Sequence, residues 1–463
     1  MRLNWRFTYS NRMAKHQQPD PHGLFDAKVP RYTSYPPANH FLPDAGRVHQ
    51  ADWLTSVPDG SEVSLYLHIP FCKRLCWFCA CRTQGTQSLR PVEAYIDDLR
   101  EEVEMVRAQL PRSVSLSRLH LGGGTPTILT GPIMERLLDK VFEAFAKGPE
   151  FEFSVEIDPT EASDEVLHTL AQFGMNRASI GVQDFDPVVQ EAIGRIQTYQ
   201  QTERVVDKLR QEGIASLNMD LLYGLPFQTE ESLRQSIEQV IALNPDRVAL
   251  YGYAHVPWMS KRQVMIDETA LPGPQARFAL TERAREQLLD AGYEAIGIDH
   301  FARPEDGLTR ARDSGTLRRN FQGYTDDTSP YLIGLGASAI SRFPQGYVQN
   351  AAATSIYAGR IRQNGLAGQR GYELTDEDRF VSRMIEHLMC SFAIDRDALL
   401  EEFPEADEQI SKAINKLVET WPGICGFDGK LLTVVAESVP VIRVVAATLD
   451  QFAGTTQAHS AAV

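Results

Sequence analysis

Three cysteines stand close together in one short segment of the sequence. Cys72, Cys76 and Cys79 follow the spacing C-x3-C-x2-C within CysLysArgLeuCysTrpPheCys. Thiolates are the usual ligands of iron–sulfur clusters, and a cluster used only for electron transfer is normally held by four of them. Three ligands from one loop leave one iron of a [4Fe-4S] cluster without a cysteine. The spacing therefore predicts a cluster whose fourth iron is open to a substrate or cofactor.

Two simpler explanations of these cysteines fit the sequence less well. A zinc site would be expected to show two paired spacings of cysteine or histidine, but Cys390 and Cys425 each stand alone. Disulfides are typical of small secreted domains, whereas this chain has 6 cysteines in 463 residues and no apolar signal stretch at its start. An iron–sulfur cluster is therefore the favoured interpretation of these three cysteines.

A fourth cysteine, Cys81, leaves one alternative open. From spacing alone it could be a fourth ligand, which would close the cluster and make the protein an electron carrier. The segments around it point elsewhere. TyrLeuHisIleProPheCys (66–72) and CysAlaCys (79–81) resemble the oxygen-independent coproporphyrinogen III oxidases, a family of radical S-adenosylmethionine (SAM) enzymes. The resemblance extends from about Pro30, in ProArgTyrThrSerTyrPro, to about Asp395.

The resemblance implies a definite reaction. One SAM would chelate the open iron, and its reductive cleavage would give a 5′-deoxyadenosyl radical. That radical would remove hydrogen from a propionate β-carbon of coproporphyrinogen III. Loss of carbon dioxide and one electron would leave a vinyl group, and a second round would give protoporphyrinogen IX for haem synthesis. In this family the cysteine matching Cys81 is not a ligand but is associated with decarboxylation, so Cys81 and Tyr66 are the expected catalytic residues.

The elements that must position these residues can be read from the hydrophobic pattern. Nearly continuous apolar runs alternate with segments of helical spacing, such as 91–110, 134–146 and 200–212, which indicates repeated βα units around a parallel sheet. Among such folds, the resemblance selects a partial (β/α)6 barrel that is open on one side. Strands are expected at 63–69, 118–121, 152–157, 178–182, 217–222 and 248–253.

Polar or glycine-rich residues follow each expected strand, where functional residues of parallel α/β folds collect. Gly122–Gly124 permits close backbone approach and is expected to leave amide groups free for the methionine end of SAM. A flexible turn is the alternative explanation of the three glycines. Glu156 and Asp220 could accept hydrogen bonds from amino or hydroxyl groups of SAM, or could be ordinary paired acids.

The resemblance further implies two SAM molecules side by side. The first SAM would contact Tyr66, Gly123, Glu156 and Ile340. The second would contact Phe78, Gly124, Thr125, Gln183, Arg195, Asp220 and Ala254.

A tetrapyrrole with four propionates calls for cationic partners, and arginine pairs best with carboxylate because its planar guanidinium can donate two parallel hydrogen bonds. Segments that resemble the family supply Arg31, Arg303, Arg318 and Arg319 as candidates. Solvated surface arginine is the alternative explanation for each.

Composition limits the partners. The net charge of −15 argues against nucleic acid, since phosphate binding needs a concentrated basic face. No segment is apolar enough to span a membrane, and the chain is expected to be a cytoplasmic monomer. The radical chemistry implied by the resemblance needs a one-electron donor such as flavodoxin or ferredoxin.

Domain limits follow from composition and resemblance together. We expect an N-terminal extension over the barrel mouth (1–60), a catalytic domain (61–365), a small, mainly helical C-terminal domain (366–450) and a disordered tail (451–463). The last two regions depart most from the family pattern, since residues 433–443 lack an expected glycine–arginine step. Ala80, Trp77 and Arg82 also differ from the commoner residues of the cysteine loop.

Two other functions remain possible from the sequence. One is a haem-binding chaperone of related fold, which Cys81 and the ProArgTyrThrSerTyrPro segment disfavour. The other is a radical SAM enzyme that acts on haem itself, which the retained SAM contacts and the segment 299–324 disfavour.

Overall fold

A twelve-stranded sheet organises the structure, a computed structural model that describes residues 23–25 and 27–453; among these residues, seven further short strands form three small sheets. The strands are β1 (Glu62–Ile69), β2 (Phe71–Cys72), β3 (Gln84–Gly85), β4 (Ser115–Gly123), β5 (Ala146–Ile157), β6 (Arg177–Gln183), β7 (Ser216–Tyr223), β8 (Arg247–Gly252), β9 (Glu294–Ile296), β10 (His300–Ala302), β11 (Arg318–Asn320), β12 (Gly323–Thr325), β13 (Leu332–Leu335), β14 (Ile340–Phe343), β15 (Gly346–Asn350), β16 (Gly368–Glu373), β17 (Ala393–Asp395), β18 (Cys425–Phe427) and β19 (Leu431–Val434).

Helices connect most of the parallel strands and cover the outside of the sheet. They are α1 (Ala45–Thr55), α2 (Arg90–Gln109), α3 (Gly131–Ala144), α4 (Asp164–Gln172), α5 (Pro187–Ala192), α6 (Tyr199–Gln211), α7 (Glu230–Ala242), α8 (Pro274–Asp290), α9 (Gly307–Ser314), α10 (Thr354–Ile361), α11 (Asp376–Ser391), α12 (Arg396–Glu402), α13 (Asp407–Thr420) and α14 (Ile442–Ala447). No helix among the described residues is long and apolar enough to cross a bilayer.

The centre of the sheet is parallel. Its strands run in the order β13-β1-β4-β5-β6-β7-β8, and antiparallel strands extend both edges, through β14–β16 on one side and β10–β9 on the other. The six strands expected from the sequence coincide with β1 and β4–β8, so the predicted βα series is confirmed. The two outermost strands, β16 and β9, do not pair with each other in the described chain, and the barrel is therefore open.

Buried apolar residues and partly covered residues alternate along the central strands, whereas the sequence indicated nearly continuous apolar runs. In β6 the apolar residues are buried, whereas the intervening Ser179, Gly181 and Gln183 are only partly covered; β7 shows the same pattern. Their apolar face belongs to the large hydrophobic core that includes α2, α3, α6 and α7. The inner face carries polar groups because it lines an open space rather than a second apolar layer.

Segments near the two ends of the described chain meet in a second, smaller core. Leu24, Tyr32 and Tyr35 from the N-terminal segment pack with apolar residues of α11–α14. Helices dominate this region, but β17, β19 and β18 form a small antiparallel sheet that the sequence did not predict.

The expected domain limits remain predictions, with one structural qualification. Residues 366–450 were assigned to the C-terminal domain, yet β16 pairs with β15 at the edge of the large sheet. Of the tail expected to be disordered, 451–463, the structure describes residues 451–453, where the Gln451 amide donates to the Tyr35 hydroxyl at 3.1 Å; residues 454–463 lie outside the described residues.

Candidate functional site

The cysteine loop lies at the carboxyl end of β1, where the sequence placed it. Cys72 ends β2, Cys76 is buried, and Cys81 is exposed. Parallel pairing of β2 with β3 holds the start of the loop, and the Trp77 amide donates to the Ile193 carbonyl at 2.9 Å. The loop is thus anchored at several points although it has little regular structure.

A short segment after β8 holds the loop from the other side, and sequence reasoning missed it. The Ser260 hydroxyl donates to the Cys79 carbonyl at 2.8 Å. The fully buried Gln263 amide donates to the Phe78 carbonyl at 2.7 Å and to the Ala254 carbonyl at 3.1 Å. Two expected SAM contacts, Phe78 and Ala254, are thereby tied together. No motif marks Gln263, so only its position in the fold shows its role.

Arg195 is buried beside the cysteines. Its guanidinium pairs with Asp158 at 3.0 Å, lies 3.5 Å from the Cys76 sulfur and donates to the Gly181 carbonyl at 2.8 Å. Burial alone would lower the Arg195 pKa, but Asp158 and the neighbouring thiols raise it. A fixed positive charge next to the thiols fits a site that binds anionic thiolates and a ligand carboxylate.

The arrangement of the cysteines suits a cluster better than a single ion. Among the described residues, no three cysteine, histidine or carboxylate side chains are grouped so as to share one metal ion. In a [4Fe-4S] cluster each thiolate binds a different iron, so the three sulfurs need not converge on one point. The lack of a convergent set among the described residues is therefore compatible with Cys72, Cys76 and Cys79 as cluster ligands.

The three glycines serve close packing more than donation. A β-carbon on Gly124 would come within 2.6 Å of the Phe71 carbonyl oxygen, and the positive φ of 114° at Gly123 favours glycine. The Gly123 amide donates to Glu156 at 3.0 Å, and the Gly124 amide donates to the Ile69 carbonyl at 2.8 Å. These two amides are thus engaged, contrary to the expectation that they were free for SAM.

A network of aromatic rings and a carboxylate lies on the inner face of β1, β4 and β5. Tyr66 stacks on His120 with ring centroids 5.7 Å apart, and its hydroxyl is hydrogen-bonded to His68 Nδ1 at 3.0 Å. His120 lies 3.4 Å from Glu156. Burial would raise the Glu156 pKa, but His120 and the Gly123 amide lower it overall. Glu156 is thus held as a carboxylate.

His68 and His120 were not predicted as site residues. They stand at alternate positions to the apolar residues of β1 and β4, and this alternation was the signal available in the sequence. Ile340, an expected SAM contact, begins β14 next to Gly334, which pairs in register with Tyr66.

Asp220 and Gln183 lie on the opposite side of the inner face. Asp220 accepts hydrogen bonds from the Asn218 amide at 2.8 Å and the Ser179 hydroxyl at 3.2 Å. Burial raises its pKa to about 6. Gln183 ends β6 with φ of 70°, a left-handed conformation that is uncommon for a side-chain-bearing residue and is often found at functional sites.

A cavity of about 1080 Å³ opens next to β8. Of the four arginines expected to bind propionates, Arg31 and Arg319 line it. Arg303 instead donates to the Ala291 carbonyl and Asn244, and Arg318 pairs with Glu386 at 3.0 Å. The structure therefore does not bring Arg303 and Arg318 to the other two.

Comparisons with known proteins agree with this geometry. Residues 66–240 match the model of the radical SAM superfamily. The oxygen-independent coproporphyrinogen III oxidase of Paracoccus denitrificans is 52% identical over 441 residues, covering 95% of this chain and 98% of the relative. That of Bradyrhizobium diazoefficiens is 44% identical, covering 92% and 95%. The solved structure of the Escherichia coli coproporphyrinogen III oxidase, a radical SAM enzyme, superposes with a TM-score of 0.87 at 34% identity, covering 92% of this chain and 100% of that one.

Proposed function

This chain belongs to the family of oxygen-independent coproporphyrinogen III oxidases, and from that premise we propose that it converts two propionates of coproporphyrinogen III to vinyl groups, giving protoporphyrinogen IX. It is a radical SAM oxidoreductase of haem synthesis. The observation that carries the proposal is the juxtaposition of the three-cysteine loop with an arginine-lined cavity at the carboxyl edge of one parallel sheet. A tetracarboxylate substrate fits such a cavity.

Cys72, Cys76 and Cys79 would hold three irons of a [4Fe-4S] cluster and leave the fourth for SAM. When bound, the cluster and SAM supply a one-electron cleavage that yields a radical able to remove hydrogen from carbon. The protein's own part is to bind, orient and exclude water. Arg195 offsets the negative charge of the thiolates, and the segment around Gln263 fixes the loop against the mouth of the sheet.

We propose two SAM positions on either side of this loop. Tyr66, Gly123, Glu156 and Ile340 belong to β1, β4, β5 and β14, on one side of the inner face. Gln183, Asp220 and Ala254 belong to β6, β7 and the end of β8, on the other side. Glu156 and Asp220 would accept hydrogen bonds from SAM, each within its own group. Phe78, Gly124, Thr125 and Arg195 complete the second group beside the cluster loop.

Cys81 is proposed to act in decarboxylation rather than in cluster binding. Cys81 is exposed whereas Cys76 is buried, and both the thiol and the backbone amide of Cys81 are hydrogen-bonded to the Cys79 sulfur, the amide at 3.4 Å. An exposed thiol next to the expected cluster ligands can face a substrate.

A one-electron donor of the flavodoxin or ferredoxin type is proposed to dock over the segment that clamps the loop. Trp258 is 57% and Met259 73% exposed there, and Arg262 donates to the Cys81 carbonyl. Met259→Asp should slow turnover driven by such a donor protein several-fold but leave turnover with dithionite unchanged. Equal rates with both reductants would contradict this docking face.

We propose that the protein is a monomer, and sedimentation velocity tests this. Its cytoplasmic location stays a prediction.

The function is tested anaerobically. The protein is reconstituted with iron and sulfide, reduced, and incubated with SAM and coproporphyrinogen III, and vinyl product, 5′-deoxyadenosine and carbon dioxide are quantified. One deoxyadenosine and one carbon dioxide per vinyl group are expected, hence two of each per protoporphyrinogen. Deoxyadenosine with unchanged porphyrinogen would contradict the substrate assignment, and haem would be tested next.

A further inference from the structure

Positive charge is concentrated in the cavity next to β8, although the chain as a whole carries a net charge of −15. Five arginines line it: Arg31, Arg277, Arg285, Arg319 and Arg443. The lining has two carboxylates, Glu282 and Asp299, so arginines exceed acids by three. The cavity is open to solvent, and the excess of arginines in its lining suits a ligand with several negative charges.

Arg319 is the least satisfied of these arginines. It is 7% exposed and lies 3.4 Å from Asp299, and its guanidinium stacks 4.3 Å from the Tyr324 ring centroid. Its Nε and Nη1 atoms are buried without a hydrogen-bond partner. Buried donors of this kind are costly unless something accepts from them. An anionic ligand in the cavity would supply that acceptor.

The other arginines come from distant parts of the chain and meet at the same place. Arg443, on α14, donates to the Val29 carbonyl at 2.7 Å and to the Pro30 carbonyl at 3.2 Å. Arg31 donates to the Gly252 carbonyl at 2.8 Å. Arg31 and Arg443 therefore join the N-terminal segment, β8 and α14 through hydrogen bonds to backbone carbonyls.

Arg277 completes the set from α8. It donates to the Tyr253 carbonyl at 2.7 Å, one residue before the expected SAM contact Ala254. Burial, together with the nearby charge of Arg31, lowers the pKa of both Arg277 and Arg443, the latter to about 10. Burial and the charge of Arg31 both disfavour these two cations, and a polyanionic ligand in the cavity would offset that cost.

We propose that Arg31, Arg277, Arg319 and Arg443 form one carboxylate-binding subsite that holds propionate groups of the tetrapyrrole and favours a tetracarboxylate over a dicarboxylate. The inference rests on the proposed function for the identity of the ligand. It assigns substrate contacts to α8 and to α14, neither of which the sequence singled out. Because each turnover removes carboxylates, the same subsite would bind the product less tightly than the substrate and so favour its release.

The test is a binding measurement on the full-length reconstituted protein. Coproporphyrin III, with four carboxylates, and mesoporphyrin IX, with two, are titrated by fluorescence quenching at several salt concentrations. The wild type should bind the first at least about tenfold more tightly, with the difference shrinking at high salt. Arg319→Gln and Arg31→Gln should each weaken coproporphyrin binding by about ten- to hundredfold and reduce the preference.

Arg303→Gln is the matched control, because Arg303 resembles a propionate ligand in the sequence but lies outside the cavity lining. Its coproporphyrin affinity should equal that of the wild type. Arg31 is exposed, so its variant should fold even if Arg319→Gln does not. Wild-type-like affinity and KM in Arg31→Gln and in folded Arg319→Gln would overturn the subsite. If the subsite binds coproporphyrin but the enzyme forms no vinyl product, the proposed function fails while the subsite stands.

Discussion

At the scale of single residues, the cysteines of the loop differ in their surroundings. Cys76 is buried next to Arg195, whereas Cys81 is exposed two residues beyond Cys79. The two carboxylates of the inner face also differ: His120 and the Gly123 amide lower the pKa of Glu156, while burial raises the pKa of Asp220 to about 6.

We expect Cys72→Ser, Cys76→Ser and Cys79→Ser each to abolish both the visible absorption of the reconstituted cluster and SAM cleavage, because each substitution removes the thiolate expected to bind one iron. Cys81→Ser is the matched variant in the same loop and should keep both but lose vinyl formation. Absorption spectra and deoxyadenosine assays check this. Loss of the cluster in Cys81→Ser would instead favour a closed, four-cysteine cluster.

The raised pKa of Asp220 predicts a pH dependence of binding at the proposed second SAM position. Above about pH 6 the carboxylate is ionised and accepts hydrogen bonds well; as the pH falls through 6 it becomes protonated and that affinity should decline. Glu156 raises this pKa and His300 lowers it, so both shape the profile. SAM titrations between pH 5 and 8 measure the effect.

Asp220→Asn is the control for that titration. It should bind the second SAM about tenfold more weakly at pH 7.5, since a charge-assisted hydrogen bond is lost. Its affinity should then show no inflection near pH 6. An unchanged inflection in this variant would assign the titration to another group.

At the scale of elements, the parallel strands supply the site and irregular segments hold it in place. Tyr66, His120 and Glu156 lie together on the inner faces of β1, β4 and β5, the strands whose carboxyl ends adjoin the cysteine loop. The loop itself is fixed by contacts with the segment after β8, through Ser260 and Gln263. Order in the loop therefore depends on an element nearly two hundred residues away in sequence.

Gln263→Ala should loosen the cluster loop, because it removes the buried donor shared by the Phe78 and Ala254 carbonyls. We expect lower iron content after reconstitution and faster loss of cluster absorbance in air. The free energy of unfolding should fall by about 1–3 kcal/mol. Val264→Ala, an exposed neighbour in the same segment, should behave as the wild type. Equal cluster stability in the two variants would contradict a clamping role.

At the scale of the whole molecule, segments near the two ends of the described chain are joined. Tyr32 donates to Asp450 at 3.0 Å, and the Gln451 amide donates to the Tyr35 hydroxyl at 3.1 Å. These contacts join segments more than four hundred residues apart. Arg31 precedes Tyr32, and Arg443 lies on α14 close to Asp450, so the contacts help to hold both arginines at the cavity that they line.

Breaking the Tyr32–Asp450 contact should therefore weaken substrate binding without touching the cluster. Tyr32→Phe is expected to lower coproporphyrin affinity several-fold while iron content and SAM cleavage remain at wild-type values. A double-mutant cycle with Asp450→Asn should give a coupling of about 1 kcal/mol in unfolding free energy. Additive effects of the two substitutions would show that the contact does not link the chain ends.

The sequence by itself determined the chemistry and the central fold. The spacing of Cys72, Cys76 and Cys79 is a local property of one loop, and the βα series is written in short-range hydrophobic patterns, so β1 and β4–β8 could be predicted. Arg31 and Arg319, which line the cavity, could be named from the sequence because they lie in segments that resemble the family; their role stays a prediction.

Only the tertiary structure decided which distant groups act together. Long-range packing decides which groups pair with the Gly123 and Gly124 amides and places Gln263 against the cysteine loop. It also places Arg277 and Arg443 in the cavity lining. An arginine is equally compatible with solvent, a salt bridge or a ligand site until its neighbours are known. Those neighbours come from strands and helices hundreds of residues apart, and no local pattern encodes their meeting.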